Sequence, residues 1–396
     1  MHFSLPANVH TALDTLTAQG YEAYIVGGSV RDLMRGVRPH DYDICTSALP
    51  EETKACFAGF RVVETGIQHG TVTVLIDHEP FEITTFRTEG DYLDGRHPSS
   101  VSFTRDLKND LMRRDFTINA MAYHPETGLV DLYGGQADIE NRCIRCVGDA
   151  PTRLTEDALR ILRAMRFAAE LGFLVEEKTA RAMMELRERL ELISRERIAA
   201  ELMRMWSGPC APEVLERFSD VFYAALPQCR EIDLPALARA PLHDATLRTA
   251  ALLHPNGAET AEKTLQSLKL PTVFLQECVA LIAHYDTEIP EADVPLWLSR
   301  LGVKQFERLA LLRDEDARDR LLREMRRALA EGLPLTLREL SVNGRDLLSL
   351  GVQPGKQLGE ALTALHERVL KRELPNDRAV LLSTVRSLVE TNSLLS

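Results

Sequence analysis

No stretch of this sequence approaches the roughly 20 consecutive apolar residues that a membrane-spanning helix needs, which excludes a helical membrane protein. The first residues, MHFSLPANVH, show no basic region followed by an apolar one, so no secretory leader is expected and the chain is assigned to the cytoplasm. Paired cysteine spacings are missing too. The seven cysteines are an odd number, and Cys143 and Cys146 form a CIRC sequence with no second pair, so they read as reduced, mostly buried thiols rather than as disulfides or a metal site. No internal repeat or low-complexity segment is found. Positive charge is also short: 47 Lys and Arg against 59 Asp and Glu give a net charge of −12, which argues against a partner made of phosphates. That average conceals the distribution. From Arg153 to Arg204 eleven basic residues face ten acidic ones, and from Arg318 to Arg327 five arginines face two acids, so both stretches are candidate phosphate-contacting stripes as well as ordinary solvated helix faces.

At 396 residues the chain is too long for one ordinary core, and two or more domains are expected. Residues 1–145 mix strands and helices. Strands are predicted at Tyr24–Val26, around Asp43, and over Phe60–Val63, Thr71–Asp77 and Phe81–Phe86, each a β-branched or aromatic run bounded by Gly, Pro or Asp. Beyond Pro151 the apolar residues recur at helical spacing to the end, with breaks near Gly208, Pro235, Pro271, Pro290, Gly332 and Pro354. The fold class is therefore α+β: a small α/β head on a long helical body.

The chemistry is concentrated between Ile25 and Ala48, IVGGSVRDLMRGVRPHDYDICTSA. A short apolar strand ends at Gly27-Gly28, and Ser29–Arg35 reads as a helix whose N-terminus faces the turn. Glycine permits close approach of the backbone to phosphates, and the free amides and positive dipole end at the helix start favour an anion. Arg31 sits beside that turn. Asp41-Tyr42-Asp43 then opens a second strand, whose alternation puts both carboxylates on one face and Tyr42 on the other. Two oxygen ligands on one face suit magnesium. Either feature alone is usually a plain turn or a solvated strand end, but in this order they place a phosphate cradle beside an acidic pair, as two-metal phosphoryl transfer requires.

At these residues the sequence resembles the signature of the DNA polymerase β nucleotidyltransferase superfamily, in the form carried by bacterial class II tRNA nucleotidyltransferases (CCA-adding enzymes) and their poly(A) polymerase relatives. The resemblance implies that Asp41 and Asp43 hold two Mg2+ ions and that Gly28 and Arg31 contact the incoming triphosphate. It also implies a third acidic position on a later strand, for which Glu82 in PFEITTF is the candidate. The family's architecture implies a head at 1–145, a helical neck with base selection at 146–208, a helical body at 209–330 and a helical, tRNA-binding tail at 331–396.

Three later segments extend the resemblance. Met112–Tyr123, MRRDFTINAMAY, matches the family's link from head to neck, in which Arg114 would contact the triphosphate and Asp115 would brace the site. In Thr155–Phe167, TEDALRILRAMRF, Thr155 is predicted to cap a helix starting at Glu156 and Asp157, and Asp157, Arg160, Arg163 and Arg166 recur every third residue as an oblique polar stripe. An exposed arginine-rich helix face would look the same. The segment resembles the EDxxRxxRxxRF motif through which the family chooses its base. A carboxylate accepts from the exocyclic amino group that cytosine and adenine carry and uracil lacks, and an arginine donates to the neighbouring ring acceptor, which excludes guanine at that edge. Asp157 and Arg160 match these roles, with Arg163 and Arg166 positioning them and meeting phosphates. Ile193–Leu202, ISRERIAAEL, resembles a neck motif in which Arg197 braces rather than reacts.

The polar segment Thr88–Phe103 lies where the family carries the loop that permits the switch to adding the terminal A, which counts against an enzyme adding only the two cytidines. Leu247–Glu259 resembles the HD-type helical region of some relatives, but His254 is followed by Pro255 and His243-Asp244 has no evident partner ligands, so no second hydrolase activity is expected. The function implied is addition and repair of the 3′-terminal CCA of tRNA from CTP and ATP, with the tRNA 3′ end and acceptor stem as partner and no membrane. An A-only enzyme and a poly(A) polymerase share the catalytic motifs and stay open, although the acidic balance and the lack of a basic C-terminal extension weigh against the polymerase. A non-enzymatic RNA-binding protein would have no use for the carboxylates, and an antibiotic-modifying nucleotidyltransferase none for the base-reading stripe.

Overall fold

The structure, a computed structural model, describes residues 2–64, 66, 70–89 and 101–390. The chain divides into two compact units, Met1–Arg230 with Lys263–Leu270, and Glu231–Glu262 with Pro271–Ser396.

The first unit holds a seven-stranded sheet. Its strands are β1 (Ala23–Val26), β2 (Ile44–Thr46), β3 (Arg61–Val63), β4 (Thr71–Ile76), β5 (Glu79–Thr85), β8 (Met121–His124) and β9 (Gly128–Asp131), while β6 (Arg87–Glu89) and β7 (Val101–Phe103) form a separate antiparallel ribbon. The order is β3-β4-β5-β2-β1-β8-β9, with β2 and β5 parallel and every other pair antiparallel. Pairing of Val72 with Ile83, Ile83 with Ile44, Ile44 with Ile25 and Ile25 with Tyr123 puts one apolar row on a single face. All five are buried. That face is covered by α1 (Ala7–Thr17), whose Val9, Ala12, Leu13 and Leu16 recur at helical spacing and are fully buried, and by α3 (Pro50–Cys56).

The opposite face is only partly covered. Val26, Cys45 and Ala122 on it pack with Phe86 and with Leu107 and Leu111 of α4 (Leu107–Met112), so α4 closes one end of the face and leaves the stretch before Ile44 open. The predicted head strands all occur, whereas β8 and β9 were not anticipated: the apolar residues after the RRD sequence form the strand paired with β1. The Asp41–Asp43 segment precedes the regular strand rather than opening it, since pairing with β5 starts at Ile44 opposite Ile83.

Helices α2 (Gly28–Met34), α5 (Gly135–Glu140), α6 (Ala150–Glu156), α7 (Leu159–Leu171), α8 (Glu177–Leu186) and α9 (Arg195–Trp206) complete the part of this unit that bears on the site, and the short parallel pair β10 (Cys143–Ile144) and β11 (Leu174–Val175) clips α7 to the chain leaving the sheet. Here one expectation is corrected. Thr155 caps nothing, because α6 runs through Glu156 and the chain breaks at Asp157 in an extended conformation before α7 begins. The carboxylate of Asp157 itself takes the backbone N–H of Leu159 at 3.1 Å, which is the capping role that its neighbour was expected to fill.

The second unit is helical throughout its described residues. Its last part closes around Leu340, Leu347, Leu365 and Leu381. The sequence breaks coincide with helix ends: Pro271 precedes Thr272–Ala283, and Gly332 follows Glu315–Ala330. In that last helix Arg323 and Arg326 are exposed.

Candidate active site

The site lies in the first unit, on the open sheet face. Strand β1 ends at Gly27, whose φ of +70° is a conformation that other residues rarely adopt. A side chain there would also crowd Arg114, since a Cβ would stand 3.2 Å from its Nη1. The turn then delivers α2, with Arg31 one turn into the helix. A backbone bond from Val26 N–H to Asp43 C=O, 3.0 Å, holds the acidic segment against the end of β1.

Because Ile44 and Ile83 are partners on the buried face, Asp43 and Glu82, each one residue earlier on parallel strands, stand side by side on the open face. Asp41, in the non-strand segment that leads into β2, lies close enough to repel the charge on Asp43. All three are exposed, and among the described residues none of these carboxylates has a hydrogen bond or ion pair. Partial loss of solvent, followed by repulsion from Asp41 and Glu82, pushes Asp43 up to about 6, with Arg114 opposing the rise. The negative charge here is thus under-compensated by protein groups. Among the described residues no three or more His, Cys, Asp or Glu are grouped so as to hold a metal ion.

Asp41 and Asp43 line a cavity of about 580 Å³ together with Gly27, Gly28, Asn119, two further aspartates and nine arginines. The sequence candidates Arg31, Arg114, Asp157, Arg160, Arg163 and Arg166 all line it; Glu82 does not. The arginines of α7 are therefore not a solvated face. Arg160 and Arg166 are only 8% and 2% exposed. Arg160 bonds Glu156 at 2.5 Å and reaches the carbonyls of Arg153 and Arg113 at 2.8 and 3.1 Å. Asp157 is paired with Arg197 at 2.7 Å. Arg163 grips Asp115 at 2.7 Å, and Arg166 grips Glu201 and Glu170 at 2.5 and 2.7 Å. Partnered in this way, a row of buried guanidinium groups is tolerable where isolated ones would not be.

Asn119, which sequence reasoning did not single out, bridges the two ends of the cavity. It accepts from Arg31 at 2.9 Å and donates to Asp115 at 3.1 Å. The ring of Phe167 does similar work, with the guanidinium carbons of Arg166, Arg31 and Arg163 at 3.9, 5.2 and 5.5 Å from its centroid. Arg87, Arg113, Arg197 and Arg204 also line the cavity. Glu201 lies one helical turn after Arg197 on α9, and that i,i+4 spacing is the signal that could have marked it. Asn119 is the asparagine of the RRDFTINA run that resembles the family's head-to-neck link, and that position was its signal.

Burial alone would raise the carboxyl of Asp115, but Arg163, Asn119 and the Phe116 N–H overcome it and hold it at about 2. A carboxylate held below its unfolded value stabilises the fold above the unfolded pKa and loses that contribution as pH falls through the folded one. Asp115→Asn is expected to lower unfolding free energy at pH 7 by about 2 kcal/mol. Chemical denaturation from pH 7 to pH 2 should show the gap to wild type persisting to about pH 4 and closing as pH falls towards 2. A gap that does not change with pH would contradict the role given to this ion pair.

Two more sequence features belong to the second unit. His254 is bonded to Asp233 at 2.9 Å and stacked on Tyr285 with ring centroids 3.5 Å apart, while Asp244 caps Ala245–Leu253 and pairs with Arg308 at 2.7 Å. Residues 90–100 of the polar loop that was assigned a part in adding the terminal A lie outside the described residues.

Comparison with known proteins places this geometry. Residues 23–145 match the family profile of the Poly A polymerase head domain, 172–220 that of a probable RNA and SrmB-binding site of polymerase A, and 241–385 that of tRNA nucleotidyltransferase domain 2. The CCA-adding enzyme of Enterococcus faecalis is 39% identical over 383 residues, covering 93% of this chain and 92% of that one. That of Bacillus cytotoxicus is 37% identical over 394 residues, covering 97% and 98%. Among solved structures, the Bacillus stearothermophilus CCA-adding enzyme in complex with CTP superimposes with a TM-score of 0.83 at 32% identity, covering 98% of both chains.

Proposed function

The chain belongs to the family of CCA-adding enzymes, and from that premise we propose that it adds and repairs the 3′-terminal CCA of tRNA, using CTP and ATP and releasing pyrophosphate. The observation that carries the reading is the joining, in one cavity, of an acidic pair that makes no ion pair among the described residues with the Asp157 and Arg160 of the base-reading segment. The first supplies nucleotidyl transfer; the second selects cytosine and adenine.

Asp41 and Asp43 fit a divalent cation, since they are hard oxygen donors that make no hydrogen bond or ion pair among the described residues, and loss of solvent followed by repulsion from Asp41 and Glu82 raises the Asp43 carboxyl. Two Mg2+ ions held there, with Glu82 beside them as a further ligand, would sharpen the tRNA 3′-hydroxyl as a nucleophile and neutralise the departing pyrophosphate. The protein's own groups do the rest. Gly27 and Gly28 let the backbone approach the phosphates, and Arg31 and Arg114 flank them. Asp157 accepts from the exocyclic amino group, and Arg160 faces the neighbouring acceptor. Because this pair reads an edge common to C and A, no nucleic-acid template is required. Residues 146–208 act as neck, 209–330 as body and 331–396 as tail in this proposal, the last gripping the acceptor stem by shape and phosphate contacts. None of the described helices is long and apolar enough to cross a membrane.

The test uses tRNA lacking CCA, tRNA lacking only A, and complete tRNA, each with CTP, ATP or both, with products read by length and sequence. Addition of C, C and A and then cessation is expected. Addition of A alone would instead assign an A-only enzyme, and unlimited A tails a poly(A) polymerase.

A further inference from the structure

Asp110 is fully buried, yet it serves the cavity without lining it. It sits on α4, which Leu107 and Leu111 anchor to the apolar cluster of Val26, Cys45 and Ala122 on the open sheet face. Its Oδ1 takes two bonds from Arg113, through Nε at 3.0 Å and Nη2 at 2.9 Å, and its Oδ2 takes one from Arg114 Nη2 at 3.1 Å. The backbone N–H of Arg87 points at the same Oδ1 from 3.3 Å. One carboxylate thus gathers three residues that line the cavity. Asp110 ties the two guanidinium groups together from behind, and Arg114 extends to the Gly27 turn. The arginines of α7 and Arg197 are likewise each tied to a carboxylate, Arg160 to Glu156, Arg163 to Asp115, Arg166 to Glu201 and Arg197 to Asp157.

We propose that Asp110 is a positioning residue for triphosphate recognition: it holds Arg113 and Arg114 together in the cavity wall, where they meet the phosphates beside the Gly27-Gly28 turn. This rests on the nucleotidyltransferase reading of the site and extends it to a residue that touches no substrate. Two adjacent guanidinium groups repel, and without the shared carboxylate they would separate; a planar donor held through two of its N–H groups, as Arg113 is, is restrained in a way that packing alone does not achieve. Burial raises the carboxyl while the two arginines lower it further, so it stays ionised in the neutral range where the enzyme is assayed. The carbonyl of Arg113 also receives Arg160, so the segment that presents the phosphate clamp braces a base reader as well.

The experiment measures, by calorimetry, binding of inorganic tripolyphosphate and of cytidine to the full-length wild-type chain, Asp110→Asn and Asp110→Glu, alongside CTP incorporation into tRNA lacking CCA. Asp110→Asn keeps the shape and removes the charge. It is expected to bind tripolyphosphate roughly tenfold more weakly and to raise KM for CTP and ATP alike, with cytidine affinity and the preference for C over U unchanged. Asp110→Glu, which keeps the charge but displaces it by one methylene, should lie between Asp110→Asn and wild type. Unaltered tripolyphosphate affinity in whichever of the two variants melts cooperatively, or loss of cytidine affinity in parallel, would overturn the proposal. Failure of the functional reading would look different: wild type would bind tripolyphosphate and leave tRNA unextended.

Discussion

Asp43→Asn is expected to reduce CTP incorporation into tRNA lacking CCA by about a thousandfold, equivalent to ~4 kcal/mol of transition-state stabilisation, while leaving the protein folded. The substitution keeps the size of the side chain and removes one of the two cavity-lining carboxylates that make no ion pair among the described residues. Stability should move the other way. The carboxyl is pushed up to about 6, so above that pH the native state holds an ionised group that it disfavours relative to the unfolded chain. In metal-free buffer Asp43→Asn should therefore melt at or above the wild-type temperature at pH 8, and the difference should vanish once pH falls below the unfolded carboxylate range, where Asp43 is neutral in both states. Single-turnover incorporation and melting curves measured on the same preparation give both quantities. An inactive variant that is also less stable at pH 8 would mean a structural role, and an active one would remove Asp43 from the reaction.

The second large effect is on selection. Asp157→Ala should lower kcat/KM for CTP by roughly a hundredfold and cost most of the preference for CTP over UTP, because a site built to accept from an exocyclic amino group discriminates by leaving a buried polar group unpaired when the wrong base is bound. Incorporation from each of the four nucleoside triphosphates, supplied singly, measures it. The Arg197 ion pair adds a second expected effect: removing Asp157 leaves a cavity-lining guanidinium without its carboxylate, so purine acceptor edges are refused less well and GTP incorporation should rise. A CTP to UTP ratio equal to that of wild type would place base reading elsewhere.

How far the sequence reveals this site depends on the range of the interaction concerned. The Gly27-Gly28 turn, α2 and the acidic segment are set by neighbours in the chain, and glycine and strand alternation leave local signals of them. The face shared by Asp43 and Glu82 is fixed by the parallel register of β2 and β5, a pairing between segments almost forty residues apart that no local pattern encodes; resemblance alone nominated Glu82. The arginine stripe was visible by its spacing, but periodicity cannot separate an exposed face from a buried one lined with counter-ions, and Glu201, Glu170 and Asp115 supply those from three different elements. The helix start at Thr155 was misplaced by two competing capping signals, and Asp157 prevailed because the chain turns there to bring α7 under the cavity. The strand β8 was concealed for the opposite reason: fully buried on both faces, it shows no alternation.

The hydrogen-bonded line from Arg31 through Asn119 and Asp115 to Arg163 has a bearing on how such an enzyme can change over time. Each member is shared between the phosphate end and the base end of one cavity, so a replacement that adjusts preference for the base also disturbs the grip on the triphosphate, and the energies of successive substitutions will not add. A lineage exploring new nucleotide preferences would therefore have to pass through compensated pairs of exchanges, and the same coupling would frustrate a library that varies these positions one at a time.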